Sequence, residues 1–192
     1  MPFIETDIPG LLIFEPKVFE DSRGHFFESY NEKIFKEKGI HMNWVQDNQS
    51  CSSYGVIRGL HYQLPPYAQT KLIRVLKGKI LDVAVDIRKG SPTFGKSFCK
   101  VLSAKNKRQL FIPKGFAHGF SVLSEKAEVL YKCDGYYNKD SEAGIIYNDA
   151  ELNIDWRIPG DSAIISEKDQ QLPTFAQCEN TFQFQEPLKA DE

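Results

Sequence analysis

The chain has 192 residues, enough for one domain with a full core and too few for two. Lys and Arg number 24 against 26 Asp and Glu, so the net charge of −2 excludes nucleic-acid binding through bulk positive charge. At 41% hydrophobic and 26% charged, the composition also excludes a disordered chain, and any phosphate must meet a local basic cluster.

The opening residues Met1 to Asp7 carry no basic, apolar leader, and no run of about 18 apolar residues follows anywhere, which predicts a soluble, cytoplasmic protein. Turn signals then recur at short intervals. They stand at Asp21-Ser22-Arg23-Gly24, Lys77-Gly78-Lys79, Lys89-Gly90-Ser91-Pro92, Pro113-Lys114-Gly115, Asp134-Gly135 and Ile158-Pro159-Gly160. One short helix is expected from Glu32 to Lys38, with Asn31 as N-cap and Gly39 as its stop. The remaining segments read as strands rich in branched and aromatic residues: 71–76, 80–87, 98–102, 119–123 and 127–133. In the second of these, Leu81, Val83, Val85 and Ile87 share a dry face while Asp82 and Asp86 point the other way. The pattern predicts an all-β sandwich or barrel, with residues 1–176 as one domain and 177–192 as a polar C-terminal tail. Cys51, Cys99, Cys133 and Cys178 are scattered without a C-x-x-C pair and are expected to be reduced, mostly half-buried thiols.

Of the four His, His25 and His41 lie in polar, turn-like contexts and are expected at the surface. His61 lies in Arg58-Gly59-Leu60-His61-Tyr62-Gln63. Strict alternation sets Arg58 and His61 on opposite faces, and both reach one pocket only if Gly59 marks a bulge or the strand begins there. His118 follows a Pro-x-Gly turn, and Gly119 beside it lets another backbone or a ligand come close. Two His on an early and a late strand match a cupin-type barrel. The metal-binding pattern needs a second His after the first, and here that position is Gln63, so no metal site is expected. Asp169, in Ser166-Glu167-Lys168-Asp169, reads equally as part of a helix-capping box or as the acid that accepts the Nδ1 proton of His61. Tyr131 reads as a core tyrosine with a hydroxyl needing a partner, and Tyr137 as an exposed aromatic able to stack on a flat ligand.

Several motifs occur together and in order: Arg23-Gly24-x-Phe26-x-Glu28, Gln46-Asp47-Asn48, Arg58-Gly59-Leu60-His61-Tyr62-Gln63, Gln69-x-Lys71, Pro113-x-Gly115-Phe116-Ala117-His118-Gly119-Phe120, Tyr131-Lys132, Tyr136-Tyr137, Asn148-Asp149, Asp155-Trp156 and Ser166-x-Lys168-Asp169. Over residues 1–176 the chain closely resembles the dTDP-4-dehydrorhamnose 3,5-epimerases. The resemblance implies an all-β cupin-type jelly roll working without metal or other cofactor, as a homodimer that shares N-terminal strands. The implied substrate is the small molecule dTDP-4-dehydro-6-deoxy-D-glucose, whose C3 and C5 protons flank a C4 carbonyl. Both centres then invert through an enolate.

By motif match, the resemblance assigns His61 as base, Asp169 as its orienting partner, Lys71 as stabiliser of the enolate oxygen and Tyr131 as proton donor on the far side of the ring. An imidazole, with an unperturbed pKa of about 6.5, suits general-base work at neutral pH. Arg23, Arg58, His118 and Lys168 are implied in polar contacts, many with the diphosphate, Glu28, Gln46, Asp47, Asn48 and Glu142 in fixing the thymidine and sugar ends, and Tyr137 in stacking on thymine. Competing readings are inversion of a single centre, a ketoisomerase on a related sugar, a non-catalytic sugar-nucleotide binder and a metal-dependent cupin oxygenase.

Overall fold

The structure, a computed structural model, describes residues 2–185. Two sheets face each other. The first joins β1 (Phe3–Glu5), β2 (Leu12–Phe14), β10 (Gln109–Ile112), β7 (Lys71–Lys77), β12 (Lys126–Cys133) and β5 (Gln46–Ser53), in that spatial order. The second joins β13 (Glu142–Gly144), β6 (Ile57–Gln63), β11 (Phe116–Val122), β8 (Lys79–Asp86) and β9 (Ser97–Ser103). The pairings between these strands are antiparallel, and the result is a cupin-type jelly roll, as expected. A separate hairpin, β3 (Phe19–Asp21) with β4 (Gly24–Phe26), stands apart from both sheets.

Three apolar layers hold this sandwich. Ile73, Val75, Ile80, Ala84, Leu110, Phe116, Phe120, Val122 and Val129 meet between the sheets. Outside the first sheet, Leu12, Phe14, Leu72 and Phe111 pack on Phe35 and Ile40, contributed by the short helix α1 (Glu32–Glu37) and the chain after it. Outside the second, Leu60, Tyr62, Leu81, Val83, Val85 and Ala117 are covered by Ile145, Leu152, Trp156, Phe175 and Phe182. A fully buried Leu or Ile stabilises by about 1.5–3 kcal/mol, so these layers offset the cost of a polar interior at one end.

α1 forms as its caps dictate. The Asn31 side chain accepts from Lys33 N, and Gly39 takes φ +82°, a left-handed turn that costs glycine little. The strand at 80–87 departs from expectation, because both of its faces are dry. The apolar set Leu81, Val83 and Val85 points outward, where residues 145–182 cover it, while Asp82 and Asp86 point between the sheets and are fully buried. The alternation is as expected, but the polar face of this strand is the interior one. Among the thiols only Cys133 is buried and Cys178 half-buried, whereas Cys51 and Cys99 are exposed on edge strands β5 and β9. Of the polar segment 177–192, residues 177–185 are described. There Phe182 packs in the outer layer and Asn180 donates to Ile87 O, while residues 186–192 lie outside the described residues.

Candidate active site

The two walls of one cleft come from different sheets. β6 and β11 carry Arg58, His61 and His118, while β7, β12 and β5 carry Lys71, Tyr131, Gln46, Asn48 and Ser50. Alternation explains the second wall. Tyr131 and Cys133 share the interior face of β12 with Val129, and the β5 residues opposite them in register are Asn48, Gln46 and Ser50.

The first wall depends on a bulge. His61 pairs with His118 and Arg58 with Phe120, so β6 spends three steps where β11 spends two. The extra residue is Gly59, at φ +118°. A Cβ there would lie 2.6 Å from Gly119 Cα and 2.7 Å from His118 O, which only glycine avoids. The bulge therefore brings Arg58 and His61 to the same side, and Gly119 serves close approach of another backbone.

His61 is anchored from far along the chain. Its Nε2 lies 2.8 Å from Asp169 Oδ1, and Gly59 N donates to Asp169 Oδ2 at 3.1 Å. Asp169 is buried and sits in α2 (Glu167–Gln170), where Ser166 caps the turn by accepting from Asp169 N. The Ser-x-x-Asp motif thus caps the turn and also sets its acid against the His61 ring. The nitrogen differs from expectation: Asp169 faces Nε2 of the ring and not Nδ1. Burial works to raise the Asp169 pKa, but the hydrogen bond and charge of His61, with donors from Gly59 and Ser166, hold it below the usual carboxylate value.

His118 makes a second pair of the same kind. Its Nε2 is 2.8 Å from Oδ1 of Asp82, both groups being buried. Burial pushes the His118 pKa down; Asp82 opposes this, and the nearby Lys71 and His61 reinforce it. A ligand can meet this ring only through Nδ1. Burial likewise lowers the Lys71 pKa, against the pull of Cys133, Asp82 and Glu142, and raises that of Tyr131, which therefore keeps its proton. Arg58 is exposed at the mouth and donates Nε to Ser52 Oγ at 3.1 Å.

Further out, Tyr137 is exposed, donates its hydroxyl to Glu142 Oε2 at 2.9 Å and donates its N–H to Gln46 Oε1. Lys168 pairs with the same Glu142 oxygen. These three form a polar rim beside His61. Three expected residues are not brought to the cleft. Asp47 faces the opposite side of β5 and pairs with Lys132 at 3.0 Å, because it alternates with Gln46 and Asn48. Arg23 is 88% exposed on the β3–β4 hairpin and pairs with Asp21, and Glu28, also exposed, accepts from Asn31. The residues that sequence reasoning missed are Asp82 and Ser50, whose Oγ is buried with no partner among the described residues. For Asp82 a signal existed: an acid within a continuous run of Ile, Leu, Val and Ala.

Among the described residues, no group of three or more His, Cys, Asp or Glu is arranged to hold a metal ion. The arrangement can remove a proton at one wall, stabilise negative charge beside it and return a proton from the other wall.

Comparison with known proteins gives consistent matches. A family model described as dTDP-4-dehydrorhamnose 3,5-epimerase matches residues 5–177. The protein of that name from Shigella flexneri is 57% identical over 170 residues, covering 88% of this chain and 93% of its own. A crystal structure of the Elizabethkingia anophelis NUHP1 epimerase superposes with a TM-score of 0.88 at 54% identity, covering 91% of this chain and 96% of that one. A Legionella pneumophila 3,5-epimerase in complex with dTDP-4-keto-L-rhamnose superposes with a TM-score of 0.91 at 48% identity, covering 95% and 98%.

Proposed function

The chain belongs to the dTDP-4-dehydrorhamnose 3,5-epimerase family, and from that membership we propose that it inverts C3 and C5 of dTDP-4-dehydro-6-deoxy-D-glucose to give dTDP-4-dehydro-L-rhamnose, in dTDP-rhamnose biosynthesis. The observation that carries the reading is the disposition of His61, paired with Asp169, on one wall and Tyr131 on the other. A single base tends to return a proton to the face it left. Inversion needs a second group across the ring.

His61 Nδ1 removes the proton α to the C4 carbonyl, and the imidazolium that forms is stabilised through Nε2–H by Asp169. Lys71 donates to the oxygen on which enolate charge develops, in a cleft where burial strengthens that interaction. Tyr131 delivers a proton to the opposite face. Arg58, His118 and Ser50 are suited to the diphosphate, with the Arg fork able to engage two oxygens. Gln46, Asn48, Glu142, Lys168 and Tyr137 hold the sugar and thymidine ends. The same scheme serves C3 and C5 in turn.

We further propose a homodimer, in which a second copy supplies Arg23, Glu28 and Asp47 to the ligand. The support is the hairpin itself, which pairs with neither sheet and exposes Phe19 (53%) and Phe26 (68%). The reaction is assigned to the cytoplasm, where four free thiols stay reduced. No described helix is long and apolar enough to cross a membrane.

The test is incubation of the ketosugar nucleotide with the protein in heavy water, followed by NMR of the product. Deuterium at both C3 and C5, with inverted coupling constants, is expected. Product labelled and inverted at one carbon only would replace the proposal with a single-centre epimerase, and unlabelled sugar would remove it.

A further inference from the structure

We infer that Asp82 is a positioning residue of this site, one oxygen fixing His118 and the other holding the positive charge of Lys71 in place. The inference rests on the epimerase reading above.

Asp82 lies on β8, an interior strand of the second sheet between β11 and β9, and is 0% exposed. Its neighbours on the same face, Ile80 and Ala84, belong to the apolar core, so packing alone favours a hydrocarbon here. A buried carboxylate persists only where its charge is compensated. Asp86, two positions beyond Ala84 on that face and equally buried, shows what full compensation looks like. Its Oδ1 accepts from Arg88 N and Nε, and its Oδ2 from Arg88 Nη2, Ser91 Oγ and Thr93 Oγ1.

Asp82 is different. Oδ1 takes His118 Nε2 at 2.8 Å, and Oδ2 is buried with no hydrogen-bond partner among the described residues. An orphaned carboxylate oxygen in a closed interior is rare enough to need an explanation. Lys71 on the facing wall, which lines the same cavities as His118, offers the compensating cation. Its side chain has no ion pair or hydrogen bond among the described residues, and the groups acting on it besides its own burial are Cys133, Asp82 and Glu142. Of the three, Asp82 alone is a fully buried carboxylate, Glu142 being half-buried and already paired with Lys168. Around His118 the acting charges are Asp82, Lys71 and His61. Asp82 is thus the one anion shared by both groups.

Two consequences follow for catalysis. With Nε2–H committed to Asp82, His118 presents Nδ1 to the ligand in a fixed tautomer. The Asp82 carboxylate favours the charged form of Lys71 against the effect of burial, the form that can stabilise an enolate.

The two duties separate on substitution. Asp82→Asn keeps an acceptor for His118 but deletes the charge. In the folded variant we expect an unchanged thermal midpoint, a kcat at least tenfold lower at neutral pH, and an alkaline limb of the kcat profile moved at least half a pH unit toward neutrality. In a Lys71→Met background the same change should have no further effect on kcat. An unshifted limb with unchanged kcat, or additive losses in the double variant, would overturn the charge role. A kcat loss accompanied by a fallen thermal midpoint and an unmoved limb would show a structural residue only. Nitrogen-15 spectra of the unaltered protein test the other duty without a variant. A proton on Nε2 of His118 is expected, and a proton on Nδ1 alone would refute it. If the unaltered protein exchanges neither C3 nor C5 proton, the epimerase reading fails, and the spectra still decide whether Asp82 holds His118.

Discussion

His61 and His118 stand opposite each other in register across β6 and β11, and each presents Nε2 to a different buried carboxylate at the same 2.8 Å. Their surroundings divide them. His61 is one-third exposed at the cleft, whereas His118 is buried and pushed toward its neutral form. The wall therefore holds one ring open to the cleft and one enclosed beside it.

His61→Ala should lower the rate of solvent deuterium entry at both C3 and C5 by ~10²- to 10⁴-fold, the usual worth of a positioned base. Thymidine diphosphate affinity should change little, because Arg58 and the rim remain. The two measurements are NMR exchange and calorimetry.

Tyr131→Phe keeps the ring that packs beside Val129 and removes only the hydroxyl. Exchange of the substrate's own protons should persist while inversion falls. Isolation of deuterated but uninverted sugar is the expected result, and full epimerisation by the variant would assign the donor elsewhere.

Gly59→Ala tests the bulge. The methyl meets backbone at 2.6 and 2.7 Å and adopts φ +118°, so the thermal midpoint should fall markedly, with strain alone worth about 1–3 kcal/mol. Gly24→Ala is the control. It carries a similar φ of +127° with no atom within 4 Å of the new Cβ, and should cost less.

Acid should unfold the protein through its paired carboxylates. Burial alone raises the Asp86 pKa, but donors from Arg88, Ser91 and Thr93 outweigh it, so the folded value lies below the unfolded one. Its contribution is complete above the ordinary carboxylate value of about 4 and is lost as pH falls through the folded value. Asp169, also lowered, acts in the same direction. Asp86→Asn should therefore be less stable at pH 7 and show a shallower loss of stability between pH 5 and 3, followed by denaturant titration.

Much of the sandwich was legible because strands such as 126–133 alternate, with Ala127, Val129, Tyr131 and Cys133 on the inner face and Lys126, Glu128 and Lys132 on the outer. β5 was not, since Gln46 to Ser53 has no apolar periodicity at all. It is a strand because its polar residues line a cleft on one side and meet solvent on the other, so tertiary placement overrides propensity. The site was legible at His61 and Gly59, where a glycine interrupts alternation. It was illegible at Asp82, whose face was taken as wet, and at Asp47, whose neighbours on both sides turn inward.

The base's partner comes late. His61 and Asp169 are 108 residues apart, and α2 docks on β6 only after both sheets have been laid down. In a growing chain every strand through Gly144 is thus made before the carboxylate that meets His61. A barrel nicked short of Ser166 would keep all the strands and lose the group that orients the His61 ring.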